Sequence, residues 1–389
     1  MKTIKIYVDG LGLVEGHFSG IGQYILGILR GLDSIIEDLK YSGGSSIVVE
    51  VIIPRDMVGR FMEFKFKNIN YRKFPLPFRY MAALWHRGKL PPMDLFYGKG
   101  VYIFPRFVGM PLLFSKSIVV IYDLSFELHR EYSDEGNASF LSKYTRKSIE
   151  QSSSVITISK SAAKEIVDFY ELAPSFVKLA YPSVDQTDMY RRTNKEIDSV
   201  KKKYDIEGNY ILALSNLEPR KNLDALIDAY CELSEDIRNK YSLLLVGVSG
   251  WKTEQLFSKI IGKVKKGYKI VRPSSYVLDK DKAAIISGAS LLVYPSHYEG
   301  FGIPPLEALA CGVPVIVADN SSLPEAVGDA GRIVNINTPG EIKKSIEEII
   351  KSISSITKKS SELGPKQAER FSWQSSAQIF INTVKEIEK

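Results

Sequence analysis

Residues 289–318 constrain the fold of this 389-residue chain more than any other stretch. The apolar run at 289–294 is too short for a helix and reads as a buried strand. Gly300, Gly302, Pro304 and Pro305 then break regular structure, which leaves Glu299 on a loop at the strand's carboxyl end. Pro305 suits the first helical position, Gly312 followed by Pro314 stops the helix after about two turns, and 313–318 reads as the next buried strand. A strand, a glycine-rich loop, a short helix and a second strand make up one unit of an open parallel sheet. Ligands gather at the loop mouths of such sheets.

The same alternation runs through the chain. Residues 4–8, 46–53, 117–121, 154–158 and 177–181 read as strands. Between them, Tyr24, Ile25, Ile28, Leu29 and Leu32 mark a helix from Gln23, Asn137 caps a helix over 138–151, and Ser159 caps another over 160–170. Periodicity fails over 182–195, which reads as a linker, and strands at 210–214, 242–246 and 269–272 open a second half. The expectation is an α/β chain of two Rossmann-like, doubly wound domains, 1–184 and 185–371. Helically spaced Phe371, Trp373, Ile379, Phe380, Val384 and Ile387 form a tail helix that either packs locally or crosses between domains.

Composition excludes several classes. With 44% hydrophobic and 25% charged residues the chain is ordinary globular material. The start alternates like a strand and lacks a signal peptide's apolar core, and no apolar run approaches the ~20 residues that span a bilayer. Cys231 and Cys311 stand apart without His neighbours, as buried free thiols do, so the reading is a cytoplasmic protein. A net charge of +7 favours anionic partners such as nucleotide phosphates or acidic lipids. Residues 64–107 concentrate nine Lys or Arg, one acid and twelve aromatics, with Arg72, Lys73, Arg79, Arg87 and Lys89 among Phe74, Phe78, Tyr80 and Trp85. Rings beside cations suit peripheral attachment to a membrane, or simply a solvated basic face; no RNA-binding motif accompanies them, so nucleic acid is not expected.

Four charged residues form the candidate site. Glu299 and Glu307, with seven residues between them, bracket the loop and short helix, and Glu307 is expected in the helix's first turn. There it either stabilises the helix start or binds a ligand. Arg220 and Lys221 follow the strand at 210–214 and precede a helical stripe, a mouth where a diphosphate fits. The turn Gly20-Ile21-Gly22 before the first helix offers a second phosphate approach. Asp279-Lys280-Asp281 matches a metal-binding pattern, but acids at a helix start need no metal, and none is expected.

The strings PSHYEGFGIPPLEALACGVPVI and LEPRKNLDALIDAY closely resemble the retaining glycosyltransferases of family 4, with weaker similarity at SGIGQY and YDLSF. That resemblance implies the GT-B fold: two Rossmann-like domains facing across a cleft, an N-terminal one for the acceptor and a C-terminal one for the nucleotide-sugar donor. It also implies that the final helix, 372–389, returns to the first domain. By position, it implies that Arg220 and Lys221 hold the donor diphosphate, Glu307 the ribose, and Glu299 the transferred sugar. Backbone N–H groups of Phe301, Gly302 and Ile303 would add donors, and Gly20, Gly22 and Asp123 would line the other side. Tyr122 stands where many members carry a His that touches the sugar, so it joins Glu299, Lys221 and Arg220 as an expected catalytic residue that can hydrogen-bond but is not expected to shuttle a proton; Ser215 stands where many carry glycine or arginine.

The reaction implied is metal-free, same-face transfer of a hexose from a nucleotide-sugar, GDP-mannose first and UDP- or dTDP-sugars next. The acceptor would be a glycan or a lipid-diphosphate-linked intermediate of bacterial surface polysaccharide. A glycosidase pair is disfavoured, because the two glutamates sit in unlike settings. A nucleotide-sugar epimerase and a non-catalytic nucleotide-sugar-binding subunit are the remaining alternatives.

Overall fold

The computed structural model describes residues 3–14, 20–42, 46–74, 77, 80, 84, 91–185 and 187–389, without the side chains of 39–42. The chain divides into two compact units, Met1–Pro182 with Ser372–Lys389, and Ser183–Phe371.

The first unit is built on a parallel sheet of β1 (Ile4–Asp9), β2 (Ile47–Pro54), β3 (Ile69–Phe74), β4 (Val101–Phe104), β5 (Lys116–Val120), β6 (Ser154–Thr157) and β7 (Val177–Leu179), in the order β3-β2-β1-β4-β5-β6-β7. The second carries β8 (Asn209–Leu214), β9 (Tyr241–Val246), β10 (Ile270–Val271), β11 (Leu291–Tyr294), β12 (Val315–Ala318) and β13 (Arg332–Val334), in the order β10-β9-β8-β11-β12-β13. Strand order reverses between β1 and β4 in one sheet and between β8 and β11 in the other. In open sheets of this kind the loops leaving the two reversal strands diverge and a crevice forms there. Both units are therefore Rossmann-like, as the alternation predicts.

Three strands escape the periodicity reading. In β3 the apolar positions share the strand with Arg72 and Lys73, while β4 and β13 span only four and three residues. Two helix starts in the first unit also differ from expectation. The first long helix spans Gly20–Ser42, so Gly20-Ile21-Gly22 is its opening turn rather than a turn before it. The helix Glu135–Gln151 is capped by Asp134, whose carboxylate accepts the Asn137 N–H, so Asn137 lies within the first turn rather than at the cap. Ser159 caps Lys160–Tyr170 through the Ala162 N–H, as the sequence suggests.

The tail helix Trp373–Glu388 packs within the first unit on Gly20–Ser42. Glycines make this approach feasible. A Cβ on Gly27 would lie 2.3 Å from the Trp373 ring, and one on Gly31 2.5 Å from the Trp373 carbonyl oxygen. Cys231 and Cys311 are buried free thiols.

Candidate active site

The second sheet's reversal point gathers the charged residues. After β8 the chain makes a short 3-10 turn, Pro219–Lys221, and Asn222 adopts a left-handed conformation before the helix Leu223–Cys231. After β11 it runs through Pro295–Gly302 into the helix Ile303–Ala310. The His297 N–H donates to the Arg220 carbonyl at 2.8 Å and ties the two loops together.

Side chains then interlock. Lys221 Nζ donates to Glu299 Oε1 at 2.6 Å and to the Tyr294 hydroxyl at 3.1 Å. Arg220 donates through Nη1 to Glu299 Oε2 at 2.9 Å and to the Tyr298 carbonyl at 2.8 Å. Its Nε and Nη2 both reach Glu218 Oε1, at 3.2 and 2.9 Å. Lys221 and Glu299 are 7% and 8% exposed, so two cations and two anions compensate one another in a largely dry setting.

The electrostatics follow. Burial pushes the Glu299 carboxyl up, but Arg220 and Lys221 outweigh it and hold the group at about 2. Burial pulls the Lys221 ammonium down, aided by Arg220 and opposed by Glu299. Burial likewise keeps the Tyr294 phenol neutral by driving it well above its usual range. Glu299 is also fixed by its backbone, since its N–H donates to Ser321 Oγ at 3.0 Å and its carbonyl accepts from Ser322 Oγ at 2.8 Å.

Glu307 has a separate partner. The helix Ile303–Ala310 begins two residues before Pro305, which corrects the expected start and moves Glu307 from the first turn to the second. A helix-start stabiliser is thereby excluded. Glu307 is buried, and Lys282 Nζ, from the helix Asp279–Ser287, donates to its Oε1 at 2.5 Å. Burial lowers the Lys282 ammonium, but Glu307 more than reverses that, so Lys282 ends above its ordinary value. Gly302 begins the short helix at φ +104°, and a Cβ there would lie 2.7 Å from Leu323 Cδ2. The Gly302 and Ile303 N–H groups have no acceptor among the described residues. Phe301 is buried edge-on against Phe371.

Within Asp279-Lys280-Asp281 the second acid is paired. Asp281 accepts from Lys203 Nζ at 2.5 Å and from the Tyr204 hydroxyl at 2.7 Å.

In the first unit, Tyr122 is buried. Its hydroxyl donates to the Pro105 carbonyl at 2.8 Å, and its ring packs on Tyr24 and Phe107. Burial raises its phenol far above the ordinary range, against the opposing charge of Arg106. Asp123 accepts the Ser125 N–H at 2.9 Å just ahead of the short helix Ser125–Leu128. Asp9, at the end of β1 beside that sheet's reversal point, was not singled out by motif. Burial raises its carboxyl, and Arg106 from the loop after β4 opposes this. Its position before Gly10 was the available signal. Phe78, Arg79, Trp85, Arg87 and Lys89 lie outside the described residues.

Known proteins match this chain in sequence and in fold. Residues 194–368 match the family described as Glycosyl transferases group 1. The O-antigen chain mannosyltransferase B of Escherichia coli is 29% identical over 385 residues, which cover 96% of this chain and 97% of that protein. Among solved structures, Anabaena Alr3699/HepE in complex with UDP and glucose superposes with a TM-score of 0.68 at 15% identity, covering 98% of this chain and 99% of that one. WaaG, a glycosyltransferase involved in lipopolysaccharide biosynthesis, superposes with a TM-score of 0.65 at 16% identity, covering 96% and 98%. With two Rossmann-like units and a match to the group 1 model over 194–368, the chain is a glycosyltransferase of the GT-B fold that resembles bacterial mannosyltransferases.

Proposed function

We propose that the protein transfers a hexose, with retention, from a nucleotide-sugar to a hydroxyl of a glycan or lipid-diphosphate-linked acceptor in bacterial surface polysaccharide synthesis. GDP-mannose is the favoured donor, with UDP- and dTDP-sugars as alternatives; the mannosyltransferase relative supports the sugar. Membrane attachment through part of 64–107 belongs to the same reading.

The buried Lys221–Glu299–Arg220 cluster at the strand-order reversal carries the proposal. Departure of a nucleoside diphosphate leaves an oxocarbenium-like sugar, and the main task is to stabilise charge on the leaving oxygens. Lys221 exchanges its bond to Glu299 for the diphosphate, and the free Ile303 and Gly302 N–H groups add donors at a helix start. Arg220 keeps its guanidinium fork on Glu218 and Glu299, which positions the loop and maintains the positive field. Glu299, held ionised, accepts from sugar hydroxyls. Glu307, steadied by Lys282, accepts from the ribose. The acceptor oxygen attacks the anomeric carbon from the face the phosphate leaves, and its proton passes to the leaving phosphate oxygen. No enzyme nucleophile is used, which agrees with a Tyr122 whose proton is engaged. Charge compensation by Lys221 and backbone donors makes a metal unnecessary at the chemical step.

The test combines GDP-mannose with synthetic mannosides and reads product anomer by NMR alongside GDP release. Acceptor-dependent GDP release with an α-linked product is expected. An inverted product overturns the mechanism, and GDP release no faster with acceptor than without favours a binding subunit.

A further inference from the structure

The first unit carries an apolar knob that the sugar-transfer machinery does not use. Leu95, Phe96, Leu113 and Phe114 are 58%, 50%, 68% and 49% exposed. They come from two segments that the fold pins together. The Met93 N–H donates to the Pro111 carbonyl at 2.9 Å, and the Asp94 carboxylate accepts the Leu113, Phe114 and Ser115 N–H groups at 2.8–3.0 Å. Burial works against the Asp94 carboxylate, but those N–H donors outweigh it and hold the group below the usual carboxylate range. Large side chains are thus displayed to water on a rigid support. Such display is unfavourable unless something covers them.

Charge indicates the cover. Asp94 is the one acid among residues 64–107, and it is buried with its oxygens spent on backbone donors. Exposed lysines flank the knob: Lys99, two positions beyond Tyr97, and Lys73, whose carbonyl accepts the Tyr97 hydroxyl at 3.1 Å; Lys116, two beyond Phe114, donates to the Ile387 carbonyl of the tail helix. An apolar centre with a cationic rim complements an anionic bilayer surface, where side chains enter the headgroup region and lysines meet lipid phosphates. A symmetric pairing with a second copy would instead set lysine rim against lysine rim.

We infer that Leu95, Phe96, Leu113 and Phe114 form a membrane-docking knob that seats the first unit on an anionic lipid surface. This narrows the attachment proposed above to a defined site and extends it beyond 64–107, and it stands whether or not GDP-mannose is the donor.

The full chain is sedimented with vesicles of phosphatidylcholine alone or with phosphatidylglycerol added. The wild type should pellet with the anionic vesicles and release as salt rises. The double variant Phe96→Ser/Leu113→Ser should lose at least about tenfold in partitioning, and Lys73→Glu/Lys99→Glu a smaller factor. Both variants should keep the wild-type melting temperature and GDP affinity by calorimetry. A wild type that stays in the supernatant, a Phe96→Ser/Leu113→Ser variant that pellets like wild type, or a dimer dissolved by those substitutions would each overturn the inference. Absent GDP binding in all forms would count against the transferase reading alone.

Discussion

Lys221 sits where lysines rarely do, buried between an acid, a phenol and a neighbouring guanidinium. Its removal subtracts the positive charge proposed to meet the leaving diphosphate. Lys221→Ala should lower transfer about 10²–10³-fold, the range seen when one preorganised donor to developing charge is deleted. A steady-state assay at saturating donor checks this; near-wild-type turnover contradicts the role. Glu299 makes a pH prediction. Its folded value of about 2 lies below the usual carboxylate value of 4.5, so between these the unfolded chain binds more protons. Stability from this group is present above pH 4.5 and is lost as pH falls towards 2, on the order of 3 kcal/mol if the pair stays buried. Glu299→Gln should flatten that part of the stability–pH curve in denaturant titrations. An unchanged slope would place the carboxylate outside the cation cluster. Arg220, Lys221, Glu299 and Glu307 were readable because each lies in a short string at a strand or helix mouth. Their partners were not. Lys221 meets Tyr294 across 73 residues and Lys282 meets Glu307 across 25, and only strand order brings such pairs together.

At the scale of elements, the short helix Ile303–Ala310 decides how the loop presents its donors. Gly302 is doubly constrained, by φ +104° and by Leu323 Cδ2 at 2.7 Å from any added Cβ. Gly302→Ala should cost about 1–3 kcal/mol and weaken nucleotide binding, both readable in a thermal-shift titration. A variant as stable as wild type would mean the loop relaxes freely. The helix Glu135–Gln151 offers a cleaner test of local chemistry. Asp134→Ala should cost about 1 kcal/mol through the lost cap, whereas Asn137→Ala should cost little. Equal losses would contradict the cap assignment. Long elements with strong stripes were legible in advance, and β3, β4 and β13 were not. A strand mixing Arg72 and Lys73 with apolar positions, or one of three residues, carries too little period-2 signal.

For the whole molecule, alternation of strand and helix sufficed to indicate Rossmann-like halves, because each short apolar run needs parallel neighbours and covering helices. The destination of the tail could not be read from its own stripe; it depends on Gly27 and Gly31 leaving room on the helix Gly20–Ser42 for Trp373. Deleting residues 372–389 should therefore expose that helix and raise hydrogen exchange over 20–42, while β8, β9, β11 and β12 keep their protection. Uniform loss across both units would contradict an independent second core.

The most direct measurement is a calorimetric titration of GDP into wild type and Lys221→Met. A fall of at least about tenfold in affinity, from loss of the charge-assisted bonds to phosphate, is expected. Equal affinity in the two proteins would contradict the assignment of the diphosphate to the buried Lys221–Glu299–Arg220 cluster.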